Sequence, residues 1–180
     1  MLSRYSLRHR AVVVFVLALF IIGGVWAFLQ MGKKEDEAYF AKRANYYKNL
    51  FDKRIGFMRP RKSDGKWLDP FNPSAMGGAK DGGMDYTEGN AWHYTWSVFH
   101  DIEGLMEAMG GRKEFTSMLD SVFVVPPIYD DSYYGYRIHE ITEMQVADMG
   151  NYAHGNQPAQ HMIYLYDCAG EPRKAPKWVR

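Results

Sequence analysis

The order of apolar and polar residues divides this chain into two regions. Residues 11–32 form one apolar run without a charged side chain, and a membrane-spanning helix needs about 20 predominantly apolar residues. From residue 37 onward, apolar residues instead recur at spacings of three and four, as in amphipathic helices. We therefore predict an uncleaved membrane anchor in residues 1–36, followed by a mainly α-helical part in residues 37–180.

Helical spacing and turn residues predict where the helices of the second part begin and end. We expect helices at residues 37–52, 91–109, 112–122, 139–148 and 158–167. Asn90 is the predicted N-cap of the second helix, and Gly110 with Gly111 is its stop signal. Gly, Pro, Asp, Asn and Ser accumulate in residues 54–86, which predicts a long loop. No alternation typical of strands competes with these assignments.

Charge and cysteine content exclude several classes of function. The chain has 22 basic and 21 acidic residues, for a formal net charge of +1. Because the chain has no surplus of basic residues, its charge gives no indication that it binds nucleic acid. The one cysteine, Cys168, excludes a disulfide within the chain and a cysteine-based metal site.

Basic residues around the apolar run predict its orientation. Arg4, Arg8 and Arg10 precede the run, and Lys33 and Lys34 follow it. Lys and Arg are enriched on the cytoplasmic side of a membrane helix. We expect an inner-membrane anchor with the helical part on the periplasmic or outer side of the cell envelope.

The first candidate for chemistry is the segment 86–94, YTEGNAWHY. It places Glu88 on a glycine-bearing turn directly before a predicted helix, with Trp92 one turn further on. A carboxylic acid beside an aromatic ring suits sugar cleavage, because a buried acid has the raised pKa that a proton donor needs. The alternative is that Glu88 interacts favourably with the first turn of the helix.

The second candidate is the segment 154–161, HGNQPAQH, where a polar loop again precedes a helix. Asn156 and Gln157 carry side-chain carbonyls of the kind that bind calcium. His154 and His161 are candidates for contacting a substrate. The alternative for both histidines is hydrogen bonding and packing at the start of the helix.

A third acidic group contains Glu140, Glu143 and Asp148, in HEITEMQVAD. Its order is not the zinc-binding HExxH pattern, because Glu143 stands where that pattern has its second histidine. We interpret these side chains as a solvated helix face.

Five separate stretches of the helical part resemble glycoside hydrolase family 92, the calcium-dependent exo-acting α-mannosidases. They are NLFDKRIGFMRPR at 49–61, YTEGNAWHY at 86–94, HDIEGLMEAMGG at 100–111, HGNQPAQH at 154–161 and YLYDCAGEP at 164–172. The resemblance implies that the helical part is a portion of an (α/α)6 toroid. It also implies removal of α-linked mannose from glycans by an inverting, calcium-assisted mechanism.

The resemblance assigns roles to individual residues. Glu88 corresponds to the proton donor, whereas Trp92, His154, Asn156, Gln157 and His161 are expected to contact the sugar. Asn156 and Gln157 are also expected to contact the calcium ion. This chain departs from the family pattern at Gln157, where the family has glutamate, so a titrating or charged role is lost there.

The resemblance further implies an incomplete fragment, since the general base of the family corresponds to sequence beyond residue 180. We expect the fragment to be inactive alone and to expose apolar helix faces. The alternative is a membrane-anchored helical module that binds glycans without cleaving them.

Residues 1–36 resemble something different, the N-terminus of an inner-membrane subunit of resistance-nodulation-division exporters. The similarity rests on LRHRAVVVF at 7–15, the glycine pair at 23–24 and MGKKED at 31–36. The later helices of such a transporter have no counterpart in residues 37–180, so transport by this chain is not expected.

Overall fold

A computed structural model describes residues 31–32, 34–78 and 84–179 of the chain. Nearly all of the predicted membrane anchor, residues 11–30, lies outside this described part. Among the residues that are described, no helix is long and apolar enough to cross a membrane. The chain divides into two units, residues 1–43 and 44–180.

The described part is mainly helical, as the sequence predicts. Its helices are α1 Lys34–Ala44, α2 Ala91–Tyr94, α3 Ile102–Met109, α4 Arg112–Val124, α5 His139–Ala147, α6 Gln157–Gln160, α7 Leu165–Cys168 and α8 Ala175–Val179, with 3-10 helices at Asn45–Asn49 and Met162–Tyr164. The strands are β1 Phe51–Asp52 and β2 Phe57–Met58.

The predicted helix at residues 91–109 is wrong in extent, because the chain leaves helical conformation between α2 and α3. Asp101 has φ −149° and its side chain accepts a hydrogen bond from the Gly104 backbone, so it caps a new helix. The predicted signals at both ends are confirmed. The Asn90 side chain caps α2, and Gly110 ends α3 with φ 106°.

The antiparallel pair β1–β2 is absent from the predicted elements. Phe51 pairs with Met58 and Asp52 with Phe57, and two residues per strand are too few to show an alternating pattern. The buried Asp52 carboxylate ties this hairpin together by accepting a hydrogen bond from Arg59 at 3.1 Å and another from Arg54 at 2.7 Å.

The predicted helix at residues 158–167 is also interrupted. The structure has α6, a 3-10 turn and α7 in its place, and Gly170 follows with φ 75°. Pro158 stands in the first turn of α6, as predicted, where its missing N–H costs nothing.

Two hydrophobic clusters meet at α2, where the half-buried Trp92 packs against both. The larger one is built from α3, α4, α5 and residues 152–169, and it includes Trp96, Phe115 and Met144. The smaller contains Phe57, Tyr86 and Ala91. Tyr86 of the smaller cluster and the buried Asn90 anchor the two ends of the loop before α2, residues 86–90.

Candidate functional site

The structure brings the two predicted candidate segments together. The Asn90 side-chain amide donates to Oδ1 of Asn151 at 3.1 Å. The Asn156 amide donates to the backbone carbonyl of Glu88 at 2.7 Å. Both contacts join chain positions more than 60 residues apart. The loop before α2 and the loop before α6 therefore lie against each other, and we call the contact between them the junction.

A buried imidazole, His93, fixes this junction. Its Nδ1 accepts a hydrogen bond from the Asn90 backbone N–H at 3.1 Å, and its Nε2 lies 2.7 Å from the Asn151 carbonyl. Because a carbonyl only accepts, Nε2 carries the proton and the neutral ring has both nitrogens paired. Burial lowers the pKa of His93 to about 4. His93 thus holds the two loops as a neutral residue.

Glu88 stands at the centre of the junction with an unusual backbone. Its φ is 52°, in the left-handed region that non-glycine residues rarely adopt. Two side chains hold it there, since Tyr134 Oη accepts from the Glu88 backbone N–H at 3.1 Å and Asn156 donates to its carbonyl. Strained backbone of this kind persists where the surroundings over-determine it, often at functional sites.

The side chain of Glu88 is exposed, so the apolar environment expected for it is absent. Trp92 packs elsewhere. Its ring is half-buried and meets Phe57 edge to face, with centroids 4.8 Å apart, and its indole N–H is buried. Trp92 therefore packs against both hydrophobic clusters.

The two predicted histidines differ in environment. His154 is exposed, and its Nδ1 lies 2.6 Å from Tyr152 Oη. His161 is half-buried, its Nε2 donates to the Trp96 carbonyl at 2.9 Å, and its ring meets Phe99 edge to face. Burial lowers the pKa of His161. Hydrogen bonding and packing, the alternative considered for both, account for these contacts.

The interpretation of the third acidic group as a solvated face is wrong for Glu140. That residue is only 2% exposed, and its carboxylate lies 3.1 Å from Nε2 of the exposed His139. Glu143 is half-buried and accepts the Gly155 N–H at 2.6 Å, inside the second loop. Asp148 alone is exposed, as expected. Of these three side chains, Glu143 contacts the second loop directly.

Two cavities of about 470 Å³ each border Tyr86, two residues before Glu88. The first is also lined by Asp85 and Phe71, the second by Arg61 and Tyr94. Both combine aromatic rings with charged side chains, which suits a polar ligand that has apolar faces.

The predicted calcium ligands do not make a calcium site by themselves. Asn156 is buried and uses its amide nitrogen on Glu88, which leaves one oxygen, whereas Gln157 is exposed. Calcium takes about 6–8 oxygen ligands, several of them usually carboxylates. Within the described ranges, no cluster of three or more His, Cys, Asp or Glu could hold a metal ion. Asn156 and Gln157 therefore do not fit the ion without further oxygen ligands.

Comparison with protein families identifies the domain to which the two loops belong. A model of the glycosyl hydrolase family 92 catalytic domain matches residues 26–180. The chain belongs to glycosyl hydrolase family 92. The family 92 match begins inside the apolar run, before the boundary predicted at residue 37.

Solved structures of family 92 enzymes are similar to this chain. One is an α-mannosidase from Bacteroides thetaiotaomicron in complex with mannoimidazole, at 36% identity and a TM-score of 0.65, covering 82% of this chain and 19% of the other. Another is an inverting mannosidase from Bacteroides thetaiotaomicron VPI-5482, at 46% identity and a TM-score of 0.56, covering 77% and 18%.

A curated relative is an uncharacterized secreted glycosidase from Arthroderma benhamiae. It is 26% identical over 161 residues, which cover 80% of this chain and 18% of the relative. The chain thus spans about one fifth of the length of these relatives.

Proposed function

We propose that this chain contributes the acid side of a glycosidase site for α-linked mannose, with Glu88 as the proton donor. The observation that carries the proposal is the left-handed backbone of Glu88, which hydrogen bonds with Tyr134 and Asn156 hold in place where the two loops contact each other. Membership of family 92 and the names of the two similar mannosidases support mannose as the sugar.

In the proposed reaction, Glu88 protonates the glycosidic oxygen while the bond from that oxygen to the anomeric carbon breaks. The electron pair of the bond goes to the oxygen, which leaves as a hydroxyl group. A second carboxylate takes a proton from the water that attacks the opposite face of the sugar, which inverts the configuration. No residue of the described ranges is assigned to this second role.

The exposure of Glu88 has a direct use in this proposal. An acid that donates to a glycosidic oxygen must come within hydrogen-bond distance of it, about 2.6–3.2 Å. A side chain at the surface can be reached by a glycan, and bound sugar would then desolvate the carboxyl group. The buried His93 and Asn156 keep the backbone beneath it in place.

Calcium assistance and the membrane anchor remain predictions. Because Asn156 and Gln157 offer too few oxygens to hold the ion, no step of the proposed reaction passes through calcium. The anchor at residues 11–32 and the cell-envelope location are tested together by extracting membranes with carbonate, which leaves a spanning protein in the pellet.

A second candidate function is glycan binding without cleavage. The exposed environment of Glu88 favours it, because an acid surrounded by water lacks the burial that usually prepares a proton donor. Such a chain would bind α-mannosides and release no mannose.

Hydrolysis of two substrates separates these functions. Because no residue of the described ranges is assigned to the second carboxylate, hydrolysis is measured on a hybrid enzyme in which residues 44–180 replace the matching segment of the similar inverting mannosidase. We expect Glu88→Gln to slow cleavage of α-linked mannobiose by about 100-fold or more, because its leaving oxygen needs a proton. An aryl α-mannoside with an acidic leaving group should be affected far less. Glu114→Gln, which changes another exposed glutamate, is the control. Equal rates for Glu88→Gln and the unchanged hybrid would contradict the acid role, whereas binding without any mannose release would favour the second candidate.

A further inference from the structure

A tyrosine-rich segment without an assigned role lies beside Glu88. Residues 133–136, YYGY, contribute Tyr134, whose hydroxyl group accepts the Glu88 backbone N–H at 3.1 Å. The next tyrosine, Tyr136, is 66% exposed. Its ring centroid lies 6.2 Å from that of Tyr134, with 64° between the two planes.

The rings of this segment are held by packing. Tyr133 and Tyr134 contact each other at right angles, with centroids 5.2 Å apart. Both lie so close to Gly77 that an added Cβ there would meet Tyr133 at 2.5 Å and Tyr134 at 3.0 Å. The backbone of Gly77 in turn donates to the Gly89 carbonyl, in the loop that carries Glu88. Gly77 therefore contacts both the tyrosines and the loop that carries Glu88.

The segment also presents an apolar surface that a ligand can reach. Large exposed aromatic side chains next to fixed polar groups are a common feature of recognition sites. Tyr136 combines a high exposed fraction with contact to a ring that is itself bonded to Glu88. Trp92, the aromatic residue expected beside Glu88, is instead packed against Phe57.

We propose that the exposed ring of Tyr136, which Tyr134 supports edge to face, is a platform on which a pyranose ring of the glycan stacks, beside the loop that carries Glu88. The C–H face of a sugar ring is apolar and packs on an aromatic ring, while its hydroxyl groups point outward to water and polar side chains. This inference rests on the proposed function, because the platform lies beside the acid proposed to cleave the same sugar. It defines a sugar-binding subsite built by residues 133–136.

The platform is tested by NMR titration of the full chain, in mild detergent, with methyl α-mannopyranoside and α-linked mannobiose. We expect Tyr136→Ala to weaken binding by about 2- to 10-fold, the affinity that one favourable contact between rings contributes. Tyr136→Trp keeps an aromatic face and should bind within about twofold of the unchanged chain. The control is Tyr46→Ala, which removes a tyrosine of similar exposure, 47%, from a 3-10 helix elsewhere.

Binding and cleavage give separate answers. Unchanged affinity in Tyr136→Ala, or no binding of either sugar by the unchanged chain, would overturn the platform. Equal losses in Tyr136→Ala and Tyr46→Ala would overturn it as well, because the effect would then be general. If Tyr136→Ala weakens binding while Glu88→Gln leaves hydrolysis by the hybrid enzyme unaltered, the platform stands and the acid role of Glu88 fails.

Discussion

Acid should loosen the junction of the two loops through one residue, His93. The ring is fully buried, with its nitrogens paired to the backbone of Asn90 and Asn151. Protonation would add a charge in an apolar site and a hydrogen at Nδ1, where the neighbouring N–H can only donate. The folded chain therefore resists protonation until its hydrogen bonds break.

The size of the effect follows from the pKa of His93. Burial lowers it from the ordinary 6.5 to about 4. Between these two values the unfolded chain binds a proton that the folded chain does not, so the free energy of unfolding falls as the pH falls. This contribution is complete above about pH 6.5. One pKa unit corresponds to about 1.4 kcal/mol, so about 3 kcal/mol is lost by pH 4.

Urea unfolding of the full chain in mild detergent, followed by tryptophan fluorescence at pH 7 and pH 4.5, measures this loss. The control is His93→Gln, which cannot titrate. It should be less stable at both pH values, and its decrease between them should be smaller by about 2–3 kcal/mol. Two other groups also lower the free energy of unfolding in acid. They are His161 and Asp52, whose pKa is lowered by Arg54 and Arg59. Their contributions are the same in both chains and cancel in the comparison.

The same decrease with pH in His93→Gln and in the unchanged chain would refute this reasoning. So would a nitrogen-15 NMR spectrum in which the His93 ring carries its proton on Nδ1 at pH 7, since both hydrogen bonds require it on Nε2.

Two further predictions concern stability, each with a matched control. Arg59→Met removes a buried partner of Asp52 and should lower the free energy of unfolding by about 3–5 kcal/mol. Its control, Arg54→Ala, changes a side chain that is 69% exposed and should lower it by less than about 1 kcal/mol. Equal losses for the two variants in urea unfolding would contradict this. Gly150→Ala places a Cβ 2.2 Å from a backbone carbonyl of α4, whereas Gly170→Ala, also at positive φ, meets nothing within 4 Å. We expect the latter to cost about 1–2 kcal/mol and the former clearly more, so similar melting temperatures for the two would count against the clash.

Local signals in the sequence predict much of the fold. The Asn90 cap, the glycines that end α3 and the proline in α6 each act within a few residues, so they can be recognised without the structure. Helix α4 follows from apolar spacing alone. The break before Asp101 escapes this reasoning because apolar residues continue through it, and the cap that restarts the helix looks like an ordinary surface aspartate.

The candidate site is only partly predictable for a related reason. Both loops are recognisable from their polar, glycine-containing sequences, and the structure joins them. The contact from Tyr134 to Glu88 spans 46 residues, and nothing local marks it. Glu140 is buried although charge patterning assigns it to solvent, since its surroundings come from tertiary packing. For Trp92 the sugar contact stays a prediction, and its place in a helical apolar pattern already indicated the packing that the structure has.

We expect the loop carrying Glu88 and the loop carrying Asn156 to form a single site for an α-mannoside. The decisive measurement is a titration of the full chain with mannoimidazole, followed in amide NMR spectra. The Gly89 and Gly155 signals, one in each loop, should shift together with the same apparent dissociation constant. Shifts confined to one loop, or signals in both loops that stay unchanged at saturating ligand, would contradict it.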